Sequence, residues 1–116
     1  MDKLTQLFQI LNSVLPNKVT YGTNTVDALD LDVYPFIIYQ EISDRSSSYA
    51  DNKPLVRIIT YQITLVTKEK DPTLQILLER TLYDVGYDYQ MVTEYINEDN
   101  SVNRAYEIKL EEFNHD

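Results

Sequence analysis

The sequence predicts an α+β domain: a mainly antiparallel or mixed β-sheet with two helices packed on one face, in the order α-β-β-β-α-β-β. Three observations lead there. Asp2–Leu15 and the segment from Pro72 to Val85 carry apolar residues at helical spacing. Leu55–Thr67 alternates apolar and polar residues, the period of a strand with one buried face. Tyr87–Ile96 and Val102–Phe113 flank 97-NEDNS-101, a polar segment of hairpin-loop length.

In the first helix, Leu4, Leu7, Phe8, Leu11, Val14 and Leu15 form the expected buried face, and Pro16 ends it. Lys18–Tyr21 is a short candidate strand, and 22-GTNTVDALDLDVYP-35 reads as a long loop. Phe36–Ser43, β-branched and aromatic after Pro35, reads as a strand. In the next strand Ile59, Tyr61, Ile63 and Leu65 should point inward, and Thr60, Gln62 and Thr64 outward. Asp71 suits a helix N-cap, Pro72 the first helical position and Gly86 the stop. Leu74, Leu77, Leu78, Thr81, Leu82 and Val85 make the second apolar face. Alternation in the last strand directs Tyr106, Ile108 and Leu110 to one side. A chain of 116 residues is expected to form a single domain over 1–116.

The connection 44-DRSSSYADNKP-54 is long for two strands that a two-residue turn could join. It has too little apolar content to pack on its own domain. The expectation is a long mobile loop, ordered against a neighbouring molecule.

Composition restricts the chemistry. There is no cysteine, which removes disulfides, thiolate metal sites and thiol nucleophiles. The one histidine, His115, is the penultimate residue of the chain, a poor position for a general base. The two glycines, Gly22 and Gly86, cannot build a phosphate-cradling loop. Asp27, Asp30 and Asp32 are the one candidate set for a hard cation, but their spacing is not that of an EF-hand, and a solvated acidic loop is the simpler reading. The expectation is a protein without catalytic function, cofactor or metal. No apolar run suggests a membrane span, and the amphipathic start without cysteine elsewhere suits a reducing cytoplasm.

The net charge of −9 opposes binding driven by phosphate neutralisation. It is unevenly spread: −3 over 1–43, +2 over 44–70 and −8 over 71–116. A basic patch of one copy could meet an acidic patch of the next, a heterologous contact of the kind that builds rings. Arg45, Lys53 and Arg57 are the candidate basic contacts, with Asp51 in the same loop. Glu98, Asp99 and Glu111 are candidates on the acidic side. Ten tyrosines supply the aromatic component. Tyr61, Tyr87, Tyr89 and Tyr106 fall on inward positions, whereas Tyr39, Tyr49, Tyr83 and Tyr95 are harder to bury by pattern, and subunit contact is their expected role.

Over about 35–96 the sequence resembles small tail proteins of long-tailed bacteriophages and prophages of Gram-positive bacteria. The resemblance is carried by Pro35–Tyr39, by Tyr-Ala-Asp-x-Lys-Pro at Tyr49–Pro54, by Tyr-Gln-Ile-x-Leu-x-Thr-Lys at Tyr61–Lys68, by Lys70–Pro72 opening a helix, and by 86-GYDY-89. It implies a tail terminator or tail completion protein of the head–tail junction. Such a protein is a ring, commonly hexameric, that caps the tail tube and joins the head connector. Its expected partners are further copies of itself, the tail tube protein and connector proteins; its expected location is the virion tail, assembled in the host cytoplasm. The alternative from a different class is an acidic inhibitor or DNA mimic that fills a basic groove of a host protein, motivated by Glu94, Glu98, Asp99, Glu107, Glu111 and Glu112.

Overall fold

A computed structural model describes residues 3–22, 34–50 and 53–113. The expected α+β order is found: α1 (Lys3–Val14), β1 (Val19–Tyr21), β2 (Phe36–Ala50), β3 (Lys53–Thr67), α2 (Pro72–Asp84), β4 (Tyr89–Ile96) and β5 (Val102–Phe113). The strands form one sheet in the order β1-β2-β3-β5-β4. Only β1 runs parallel to its neighbour, pairing Val19–Tyr21 with Ile37–Tyr39, and the other ladders are antiparallel.

Local chemistry explains the ends of the helices. The Asp71 carboxylate accepts from the Leu74 N–H at 3.1 Å, satisfying one orphan donor of α2, and Pro72 occupies the first turn. At the other end Gly86 adopts φ +87°. This lets Tyr87 N–H reach Leu82 O at 3.0 Å and Gly86 N–H reach Tyr83 O at 2.9 Å, the paired bonds of a Schellman cap. After α1, Asn17 takes the left-handed conformation with φ 65°, and its N–H bonds Asn12 Oδ1 at 3.0 Å.

Both helices lie on one face of the sheet. Leu7, Leu11 and Val14 of α1 and Leu78 and Leu82 of α2 pack with Ile37, Tyr39, Ile59, Tyr61, Ile63, Leu65, Tyr106, Ile108 and Leu110. Each such side chain contributes about 1.5–3 kcal/mol on full burial. The inward set of β3 is the one its alternation predicts. The helical faces are narrower than expected. Phe8, Leu77 and Val85 are exposed, while Gln75 is buried and donates to Glu94 Oε1 at 3.2 Å. Spacing alone admits Leu77 and Leu78 equally; the buried stripe of α2 is Gln75–Leu78–Leu82, with Leu74 partly buried against the core.

The principal correction concerns 44–54. Instead of a long loop, β2 continues to Ala50 and β3 begins at Lys53. The ladder runs on through Asp44↔Ile59, Arg45↔Ile58, Ser46↔Arg57, Ser47↔Val56, Tyr49↔Pro54 and Ala50↔Lys53. Fifteen residues per strand, at about 3.3 Å each, span roughly 50 Å. That matches the longest dimension of the molecule, 53 Å against 27 and 23 Å. The serines lack strand propensity, so the pairing comes from partners rather than from local preference.

Candidate assembly interface

The β2–β3 hairpin is joined by β5 to make a three-stranded arm. β5 pairs with β3 from Thr67↔Val102 without interruption to Val56↔Phe113. β4 stops at Tyr89↔Ile108, and β1 stops at Tyr21↔Tyr39. Beyond those points neither outer flank of the arm pairs with another strand among the described residues: not β2 from Glu41 onward, nor β5 from Lys109 to Phe113.

The helix-free face of the sheet is also uncovered by any described element. Ile38, Gln40, Gln62, Thr64, Thr93, Tyr95, Asn103 and Ala105 line one shallow depression in it. Ile42, Ser43, Ile58, Thr60, Glu107 and Lys109 line another nearer the arm. Asn103 Nδ2 donates to the Tyr95 hydroxyl at 3.0 Å and Asn97 Nδ2 to Asn103 Oδ1 at 2.8 Å, so part of this polar surface is already engaged.

The residues expected at an interface do not gather in one place. Arg45, Tyr49 and Lys53 have their backbones in the arm, and Asp51 lies outside the described residues. Arg57 is exposed, but its Nε donates to Asp44 Oδ1 at 2.9 Å, and this bond holds the Asp44 carboxyl below the usual carboxylate range. Glu111 is exposed on the arm, opposite Ile58. Glu98 and Asp99 occupy the β4–β5 turn, at the far end of the molecule. The Asp99 carboxylate accepts from the Ser101 hydroxyl at 2.6 Å and the Ser101 N–H at 3.0 Å, which lowers its pKa and ties down the turn. Asn100 completes that turn with φ 73°.

Tyr39 is corrected from a contact residue to a core residue. It is 5 % exposed, with its ring 5.1 Å from that of Tyr21 and 6.5 Å from that of Phe8. Burial raises its hydroxyl pKa, with a smaller contribution from Tyr21. Tyr83 and Tyr95 are exposed as expected. The arm is also less basic than residues 44–70 suggest, because β5 brings Glu111 and Glu112 beside Ile58 and Arg57.

A polar cluster beneath α2 was not foreseen. Arg104 donates from Nε to the Tyr106 hydroxyl at 2.6 Å, and it contacts Glu94 at 3.2 Å and Glu79 at 3.4 Å. The Tyr106 O–H in turn donates to Glu79 Oε2 at 2.7 Å. Lys70 Nζ lies 2.6 Å from Glu94 Oε1. The hydrogen bond from Lys70 is the main cause of the lowered Glu94 pKa, helped by Arg104. The cluster locks α2 to β4 and β5 and leaves Glu94 neutralised rather than available as a free acid. Apart from Arg104 and Tyr106, its contacting pairs are 10 to 27 residues apart in sequence, so only an alternation argument placing Arg104 on the face of Tyr106 could have hinted at it.

No group of three or more His, Asp or Glu suited to a metal ion occurs among the described residues; Asp27, Asp30, Asp32 and His115 lie outside them. No described helix is long and apolar enough to cross a membrane. Neither a protein-family model nor a curated protein sequence matches the chain.

Proposed function

We propose that this chain is a structural subunit of a long-tailed phage virion. It assembles head to tail into a ring at the head–tail junction, where it terminates or completes the tail and joins it to the connector. It works by assembly rather than by catalysis. The observation that carries this reading is the three-stranded arm, which extends past β1 and β4 with both flanks unpaired among the described residues. A strand edge of this kind is a template for pairing and is costly to leave open in a protein that functions alone. The charge of −9 suits a ring through which DNA passes without being held. The resemblance of 35–96 to tail proteins supports a place at the head–tail junction.

The DNA-mimic alternative is weaker on geometry. A mimic needs acids in a row on one surface. Here Glu94 is neutralised under α2, Asp99 holds its own turn, and Glu107 and Glu111 belong to the opposite face of the sheet.

The test is native mass spectrometry and electron microscopy of the full chain, alone and mixed with phage tail tubes. Closed rings, or rings seated on tube ends, are expected. A chain that neither self-assembles nor caps tubes, and instead binds a DNA-binding protein with steep salt dependence, overturns the reading.

A further inference from the structure

We infer that the two flanks of the arm add to each other as strands: β2 of one copy at Ser43–Ser47 pairs in parallel with β5 of the next at Lys109–Phe113. This rests on the head-to-tail reading above and names the surfaces it uses.

The body of the sheet guards its edges. On one side β1 is only three residues long; on the other, β4 carries a bulge between Met91 and Thr93. Short edge strands and bulges are established ways to prevent unwanted pairing. The stretches Ser43–Ser47 and Lys109–Phe113 have neither. The one β2 bulge falls at Ile42, just before Ser43, and the β3–β5 register is unbroken to Phe113.

Direction and level agree with this partner. β2 and β5 are both antiparallel to β3, so they run the same way on opposite sides of the arm. Copies standing side by side with their arms aligned therefore bring β2 of one against β5 of the next in parallel. Through β3, Ser43, Thr60 and Lys109 share one level; Asp44, Ile59 and Leu110 the next; then Arg45, Ile58 and Glu111; then Ser46, Arg57 and Glu112. Without an axial shift, position 45, an arginine, stands level with position 111 of the next copy, a glutamate, and no like charges share a level. A shift of two residues one way sets Asp44 against Glu112, and the other way sets Arg45 against Lys109. A shift of one residue exchanges the faces of the added strand. Only the level register satisfies both charge and facing.

The test combines hydrogen exchange with charge reversal on the full chain. Amides of 43–47 and 109–113 should gain protection as concentration rises, while those of β1 and β4 should not. Arg45→Glu and Glu111→Arg should each weaken self-association about 2- to 30-fold per contact, and the double variant should recover most of the loss. Circular dichroism of each variant should match the parent. Assembly with unprotected arm amides, or a double variant no better than the singles, overturns the pairing and leaves the ring intact. Protection already complete in the monomer overturns it as well. A chain still monomeric at about 1 mM overturns both the pairing and self-assembly of the isolated ring.

Discussion

Replacing Tyr106 by Phe isolates the polar cluster under α2 from the packing around it. The Tyr106 ring is fully buried and meets the Tyr89 ring edge-on at 5.9 Å, contacts that Phe retains. What is lost is a hydroxyl that accepts from Arg104 at 2.6 Å and donates to Glu79 at 2.7 Å. Hydrogen bonds to charged groups contribute about 1.5–3 kcal/mol each, which would place the pair at several kcal/mol. Two features reduce this. Arg104 keeps its contacts to Glu79 and Glu94, and the side chains of Arg104 and Glu79 are 17 % and 25 % exposed, so water replaces part of the loss. The expected net destabilisation is about 2 kcal/mol. In urea the midpoint should fall by about 1 M at unchanged slope.

The alkaline limb supplies a second readout from the same variant. Burial, aided by the bond to Glu79, raises the Tyr106 pKa above that of an ordinary phenol. A raised folded pKa means that this contribution to stability is complete below the unfolded value, about 10, and is lost as pH rises through the folded one. Parent stability should therefore decline in strong alkali more steeply than that of the Phe variant. A midpoint shift below about 0.25 M, or equal alkaline slopes, would refute the assignment of the cluster as the lock between α2 and the sheet.

The remaining predictions concern nearby elements. Glu94→Gln should cost about 1 kcal/mol at neutral pH. Because the Glu94 pKa is lowered in the fold, that difference is present above the ordinary carboxylate range and should vanish as pH falls through the folded value; urea midpoints across an acid series would check it. Asp71→Ala removes the N-cap acceptor of α2 and should cost about 1 kcal/mol, seen as a lower thermal midpoint. Leu78→Ala should cost about 2–5 kcal/mol because Leu78 is fully buried, whereas Leu77→Ala, at a position 48 % exposed, should stay within about 0.5 kcal/mol. Equal effects at the two leucines would contradict the orientation of α2.

Local chemistry was sufficient for much of this molecule. The β3 alternation, the Asp71–Pro72 start and Gly86 stop of α2, and the polar turn before Ser101 each act within a few residues, and so the element order was legible in the chain. The arm was not. Asp44–Ala50 has neither alternation nor strand propensity, and it becomes a strand because β3, braced by β5 as far as Val56, supplies ladder partners along it. Tyr39 was misjudged for the same reason: Phe8 and Tyr21, distant in sequence, close over it. Charge showed the limit most clearly. A segment sum made 44–70 basic and the last third acidic, yet folding set Lys70 and Arg104 on Glu94 and brought Glu111 and Glu112 alongside the arm. Hydrophobic period and capping are properties of neighbouring residues and survive in one dimension. Ladder pairing, edge exposure and ion pairing are properties of residues brought together from afar, and for this protein those are the features on which its proposed assembly depends.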